Sequence, residues 1–167
     1  AETGFGVMLF DGDITKLGHV AFYNCTSLTN VIIPDSVTTI GDSAFSDCTS
    51  LTSVTIPDSV KTIENWAFSY CSSLTIVTIG NGVTAIGEGV FNYCNDLVAF
   101  KGKFAADGGR CLIKDNAIIA YANASGTEYT IPDGVTSMEK SAFRGCNDLA
   151  EVTSPSSVTS INVNVFS

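Results

Sequence analysis

Apolar residues return along this chain on two superposed periods. Within LTSVTIPDSVKTIENWAFSYCSS, Leu51 to Ser73, apolar and polar residues alternate at Val54-Thr55-Ile56. They then recur three apart at Val60 and Ile63, and close on Ala67-Phe68 and Cys71. Alternation with a period of two marks a strand with one buried face. The whole segment then repeats. Leu28 to Ser50 and Leu74 to Asp96 carry the same pattern, L-x-x-V-x-I-P-x-x-V-x-x-I-x-x-x-A-F-x-x-C, at a shift of 23 residues. A fixed period of this size predicts a solenoid, in which each unit buries its apolar face only against its neighbours.

The phase divides the chain into one solenoid domain, 1–167, with units near 5–27, 28–50, 51–73, 74–96, 97–125, 126–148 and a partial 149–167. Phe5, Met8 and Phe10 place the first unit in register. Pro34 and Pro57 end their strands, and Gly80 takes that place one unit later. The fifth unit is enlarged and lacks the Ala-Phe-x-x-Cys signature. Inside it, Cys111-Leu112-Ile113 and Ala117 to Tyr121 are β-prone runs separated by Asp115-Asn116, which predicts a hairpin. Asp42 to Phe45 and Glu64 to Phe68 read as single helical turns, the first with an Asp cap. The expected fold is an α/β-type repeat solenoid, mostly β: a right-handed coil with a parallel sheet along one face and short helical turns. No polar capping repeat closes the last unit, and solenoids usually need one. This predicts a longer parent chain or end-to-end self-association.

These residues resemble the BspA-like leucine-rich repeat proteins of bacterial surfaces. The match is LTSVTIPDSV-x-x-I-x-x-x-AFxxC, and it covers nearly all of Phe5 to Ser167. GRCLIKDNAIIAYA followed by EYTIPDGVTSM is similar to the long insert repeat of that family. The resemblance implies an extracellular or cell-surface, non-catalytic binding module, linked to adhesion and to host matrix proteins. It carries no catalytic or ligand motif across.

Charge narrows the partners. The net charge is −9 and only 8 residues are Lys or Arg, scattered along the chain. Nucleic acid and anionic membrane both need clustered cations, so neither is expected. No apolar run approaches the roughly 20 residues of a membrane span. Lys101, Lys103, Arg110 and Lys114 bring half of the cations into the enlarged unit, as a local basic patch for an acidic partner.

Candidate chemistry is sparse, and no cofactor or metal is expected. Cys25, Cys48, Cys71, Cys94 and Cys146 share one repeat position, so stacking puts them in a column about 5 Å apart. Buried free thiols fit that column better than disulfides. Cys111 lies outside the column, on the hairpin, facing the core. His19 is the single histidine, in the turn before Ala21-Phe22, where later units carry Ser43 and Trp66; no nucleophile signature accompanies it. Asp11-Gly12-Asp13 lacks the Glu of a calcium loop and reads as a turn. The sequons Asn24-Cys25-Thr26 and Asn123-Ala124-Ser125 read as incidental, the first inside a packed repeat.

The outward strand positions are the candidate binding surface. One column is Leu9, Ile32, Thr55, Thr78, Lys101, Thr130 and Thr153. Its neighbour is Val7, Asn30, Ser53, Ile76, Ala99, Glu128 and Glu151. Val7, Leu9, Ile32 and Ile76 suggest an exposed apolar patch of the kind that marks a partner site. Two other readings remain. Trp66, Tyr70, Tyr93 and Tyr121 suit glycan binding by an accessory module. The Thr ladder suits ice binding, though Ile32 and Lys101 interrupt it.

Overall fold

The computed structural model describes residues 13–166. The chain forms a mostly β solenoid of about six turns. Phe5, Val7, Met8, Leu9, Phe10 and Asp11-Gly12 lie outside the described residues. The strands are β1 (Lys16–Leu17), β2 (Thr39–Ile40), β3 (Ser53–Ile56), β4 (Thr62–Ile63), β5 (Ile76–Ile79), β6 (Ala85–Ile86) and β7 (Ala99–Gly102). They continue as β8 (Ala105–Ala106), β9 (Cys111–Lys114), β10 (Ala117–Tyr121), β11 (Glu128–Thr130), β12 (Ser137–Met138), β13 (Glu151–Thr153) and β14 (Ser160–Ile161).

The parallel sheet does not run unbroken along the face. A front sheet β3-β5-β7 and a pair β11-β13 carry the outward columns, while β1-β2-β4-β6 and β14-β12-β10-β9-β8 form the second side. Pairing is parallel and in phase with the repeat: Thr55 meets Thr78, Thr78 meets Lys101 and Ile40 meets Ile63. The alternation V-x-I sets this register, because Val54, Ile56, Val77 and Ile79 all point inward and are buried; a slip of one residue would expose all four. The residues before Pro34 form no strand. Thr52 N–H reaches Thr29 O at 3.2 Å, but Ile32 points into solvent.

The expected helical turns are absent. The only helical element among the described residues is one 3-10 turn, Asp107–Gly109, in the enlarged unit. The Ala-Phe-x-x-Cys corner is instead a string of tight turns. Ser43 (φ 53°) and Asp47 (φ 62°) take left-handed backbone, as do Trp66 and Tyr70 in the next unit. These reversals turn alternate N–H groups outward along the solenoid axis. Ser43, Phe45 and Asp47 N–H donate to Asn65, Ala67 and Ser69 carbonyls at 2.9, 2.7 and 2.9 Å. The groups between them close i to i−3 turns, as Ala44 N–H does on Gly41 O. A helix would bond its N–H groups internally and leave no ladder between coils. Asp42 caps nothing; its carboxylate accepts from Ser43 Oγ at 2.9 Å.

The phenylalanine of each corner fills the core. Phe22, Phe45, Phe68 and Phe91 stack with centroids 5.0, 5.1 and 5.8 Å apart and planes within 10° of parallel. All six cysteines are free thiols. Cys48, Cys71 and Cys94 are buried, and each thiol donates to the phenylalanine carbonyl one coil back: Phe22, Phe45 and Phe68 O, all at 3.2 Å. The position thus takes a small side chain that can also donate. Cys25, at the same position in the first described coil, is exposed, and so is Asn24; the sequon there is not inside a packed repeat.

The enlarged unit carries a disguised corner. Tyr121 occupies the phenylalanine place, stacked on Phe143 at 5.0 Å with its N–H on Ala142 O at 2.9 Å. Asn123 takes the cysteine place one residue early. It is buried, donates Nδ2–H to Gly145 O and accepts the Cys146 thiol, both at 3.2 Å, so this sequon is committed to the core.

Candidate functional site

The enlarged unit contains the predicted hairpin. β9 and β10 pair antiparallel around Asp115 and Asn116, both left-handed at φ 52° and 63°, the geometry of a type I′ turn. Its front strand and its back belong to different stacks. β7 continues the front sheet of the preceding coils. β10 starts the ladder of the following ones, pairing with β12. The buried core divides at the same place: Leu97, Phe100 and Leu112 join the first cluster, and Ile118, Tyr121, Tyr129 and Phe143 the second.

Three consequences follow for the surface. First, the 3-10 turn lies over β7. Gly109 has φ 92°, and a Cβ there would sit 2.5 Å from Phe100 O, so only glycine lets the turn cover this edge. Second, among the described residues β6 pairs with β4 alone, and its other side opens on a cleft of about 520 Å³. Third, the short fifth corner lets the sixth coil reach the fourth. Lys140 Nζ pairs with Glu88 at 2.9 Å, Arg144 Nε donates to Tyr93 Oη at 3.2 Å, and a Cβ on Gly145 would lie 2.8 Å from the Tyr93 ring.

The four cations of the anticipated basic patch separate. Lys101 is exposed on β7 beside Thr78. Lys103 donates to Asn81 O at 3.0 Å and lies over the Phe104 ring. Lys114 pairs with Asp115 at 2.6 Å. Arg110 is structural: its Nη2 donates to Glu128 O at 2.7 Å and to Tyr121 Oη at 3.3 Å, and its guanidinium stacks over Tyr129. Tyr129 in turn donates to the buried Cys111 thiol at 3.1 Å. Burial, then the Cys111 contact, pushes the Tyr129 phenol upward, and burial raises Cys111 as well. Both groups stay protonated, and both lie within the second cluster.

On the front face, Ile32 is 86% exposed. Asn30, Ser53 and Thr55 are exposed, and Ile76, Thr78 and Ala99 half-buried. Glu128, Thr130, Glu151 and Thr153 stand on the separate pair β11-β13. A shallow open groove of about 590 Å³ runs along the strand ends beside Asp35, Asp58, Thr55, Thr78 and Gly102.

The aromatic candidates also divide. Tyr121 is buried and unavailable to a sugar; Trp66 is 40% and Tyr70 46% exposed. Tyr70 stacks on Tyr93 at 4.5 Å. Trp66, Tyr70 and Tyr93 all sit in left-handed backbone, which is costly for bulky side chains.

Among the described residues, His19 makes its side-chain contacts with Asp42. It aligns with Asp42 and Asn65, one place before the Ser43 and Trp66 position. His19 is exposed and contacts Asp42 Oδ1 at 3.3 Å, while Ser43 Oγ bonds that carboxylate rather than the imidazole. No group of three or more His, Cys, Asp or Glu among the described residues converges to hold a metal. No helix among the described residues is long and apolar enough to cross a membrane.

A family model described as a BspA type leucine rich repeat region matches in six copies over residues 8–104 and 115–167. Among solved structures, a leucine rich cell surface protein from Faecalibacterium prausnitzii is 30% identical, with TM-score 0.54 over 92% of this chain and 55% of its own. A leucine rich repeat protein from T. pallidum is 27% identical, with TM-score 0.60 over 89% of this chain and 66% of its own. One from Eubacterium ventriosum, 24% identical with TM-score 0.64, covers 88% of this chain and 47% of its own; it shows the fold alone. The chain thus spans about half to two thirds of the structures it matches. No curated protein matches it.

Proposed function

The chain belongs to the BspA type leucine rich repeat family, and from that premise we propose that it is a non-catalytic, cell-surface or extracellular module that binds protein through its front face. The observation that carries this reading is the exposed front surface: Ile32 at 86% exposure, continued by Ser53, Thr55, Ile76, Thr78 and Lys101 on in-register strands. Apolar side chains grouped on an exposed face and rimmed by polar residues mark partner sites, and Ile32 with the half-buried Ile76 supplies the apolar part of this face. Solenoids bind along extended surfaces of this kind. The similarity to a protein described as a cell surface protein supports the location.

The partner class is a host matrix protein, met by the apolar patch and steered by Lys101 and Lys103, with Arg110 held back in the structure and Lys114 beside Asp115. The test is surface binding to immobilised fibronectin and fibrinogen by wild type, Ile32→Asp, and the pair Lys101→Glu with Lys103→Glu. Binding that falls with Ile32→Asp, and that weakens with salt only while the lysines are present, supports the reading. Unchanged binding in both variants removes the front face.

A glycan-binding module is the second reading. Exposed Trp66 and the Tyr70–Tyr93 pair, kept at strained backbone positions, favour it. A glycan array with Trp66→Ala as control separates the two.

A further inference from the structure

We propose that the cleft beside β6 is a docking site for an extended peptide segment of a partner protein, which adds one strand to the open edge of β6. The proposal rests on the reading of the chain as a protein-binding module only in taking the ligand to be protein.

On the second side of the solenoid, two carbonyls in each coil accept N–H groups from the coil that follows. Thr15 and Leu17 O accept from Thr39 and Gly41 at 3.3 and 2.8 Å; Thr38 and Ile40 O accept from Thr62 and Glu64 at 3.3 and 2.8 Å. Lys61 and Ile63 O accept from Ala85 and Gly87, Asn116 and Ile118 O from Thr136 and Glu139, and Thr136 and Met138 O from Ser160 and Asn162. In β6 the equivalent carbonyls are Thr84 and Ile86 O. No N–H group among the described residues reaches either one. The strand that should have followed is β10, which is drawn away into the hairpin with β9 and bulged at Ile119.

The space left lies along the open edge of β6. It is about 520 Å³, with Thr84 to Glu88 on one wall, Lys114, Asp115, Ala117 and Ile119 on the second, and Ser137, Glu139 and Lys140 on the third. Ile119, half-buried, lines the cleft and packs against the core. The Glu88–Lys140 and Lys114–Asp115 pairs both lie in the lining of the cleft. An unpaired strand edge is a template for a further chain, and peptides bind such edges through main-chain hydrogen bonds, with side-chain specificity from the walls. The occupant is therefore an extended segment that offers two N–H groups two residues apart, with an apolar side chain toward Ile119.

The probe is an acetylated, amidated peptide with the sequence of residues 36–42 of this chain. There the N–H groups of Thr39 and Gly41 make the equivalent bonds in the intact ladder. Its partner is the same peptide N-methylated at those two positions. Binding to the 167-residue chain is followed by NMR amide shifts and by calorimetry. The expected result is saturable one-to-one binding, with shifts confined to 84–88, 114–119 and 137–140. N-methylation weakens it by about tenfold or more, since two hydrogen bonds are removed. Ser137→Arg, which fills the cleft from a half-buried surface position, abolishes it, and Ile32→Asp leaves it unchanged. That last arm separates this site from the front face. The proposal is overturned by the absence of saturable binding, by equal binding of the N-methylated peptide, by shifts mapping to β14 or the front sheet, or by a chain dimer through this edge that the peptide does not displace.

Discussion

Replacing Phe68 by Ala tests the stacking energetics where they are best determined. The Phe68 side chain is fully buried, with its ring between Phe45 at 5.1 Å and Phe91 at 5.8 Å. The walls of the resulting cavity are held by the ladder: Phe68 N–H bonds Val90 O at 3.0 Å, and Phe68 O takes the Cys94 thiol at 3.2 Å. They cannot close on the space, so the cost stays in the usual range for this change, about 3–5 kcal/mol. For a chain of this length that is a fall in Tm of about 6–20 °C, at about 2–4 °C per kcal/mol. Phe22 is only half-buried and stacks on Phe45 alone among the described residues. Phe22→Ala should therefore cost about 1–2 kcal/mol. Urea unfolding followed by circular dichroism measures both, and a reduced m-value would show that one stack unfolds before the other. A loss below about 1 kcal/mol at Phe68, or one no larger than at Phe22, would refute the reasoning.

Gly145→Ala combines a left-handed φ of 85° with a Cβ placed 2.8 Å from Tyr93; it should cost about 1–3 kcal/mol in the same urea assay, and a neutral change would contradict the direct contact of the fourth and sixth coils. Asn123→Ala leaves the Gly145 carbonyl without its side-chain donor and the Cys146 thiol without its acceptor, at about 1–3 kcal/mol in the same assay, whereas Asn123→Asp loses the donor and sets a buried carboxyl oxygen against the Gly145 carbonyl, and should cost at least as much. Titration with a thiol reagent should find Cys25 fast in the native chain and Cys48, Cys71 and Cys94 slow until denaturant is added. Burial, the first cause in each case, raises Cys48 to about 11 and Cys94 and Cys146 to about 12 from 9.0. Below pH 9 these thiols are neutral in both states; above it the unfolded chain ionises first, so stability should fall between about pH 9 and 12, and a flat profile there would contradict their burial.

The repeat, the strand register and the hairpin were legible because each rests on a local signal: V-x-I for the inward face, Asp115-Asn116 for the left-handed turn. The corner conformation was not, since Asp-Ser-Ala-Phe reads equally as a helical turn or as tight turns. What decides between them is the ladder to the next coil, which no single unit displays. Tyr121 and Asn123 were missed as a corner because the signature was sought at its usual spacing, and one residue is deleted there. The signal was present in Ala120-Tyr121 falling just before a polar residue of cysteine size. Arg110 reads from sequence as one more exposed cation; only folding brings the Tyr121 and Tyr129 rings beneath it. The unpaired edge of β6 was invisible for a similar reason. Thr84 to Ile86 is an ordinary unit, and what is missing beside it belongs to residues more than thirty positions onward.

The central claim is that the enlarged unit interrupts the inter-coil ladders and thereby makes an aperiodic surface among the described residues. Residue-resolved native-state hydrogen exchange tests it most directly. Trp66, Phe68 and Tyr70 N–H donate to Glu88, Val90 and Asn92 O at 2.9, 3.0 and 2.8 Å. Gly89, Phe91 and Tyr93, the same positions one coil on, find no acceptor among the described residues. The account predicts strong protection for the first three amides and exchange faster by about a hundredfold or more for the second three, in the middle of an otherwise protected chain. Equal protection on both sides of the boundary would contradict it.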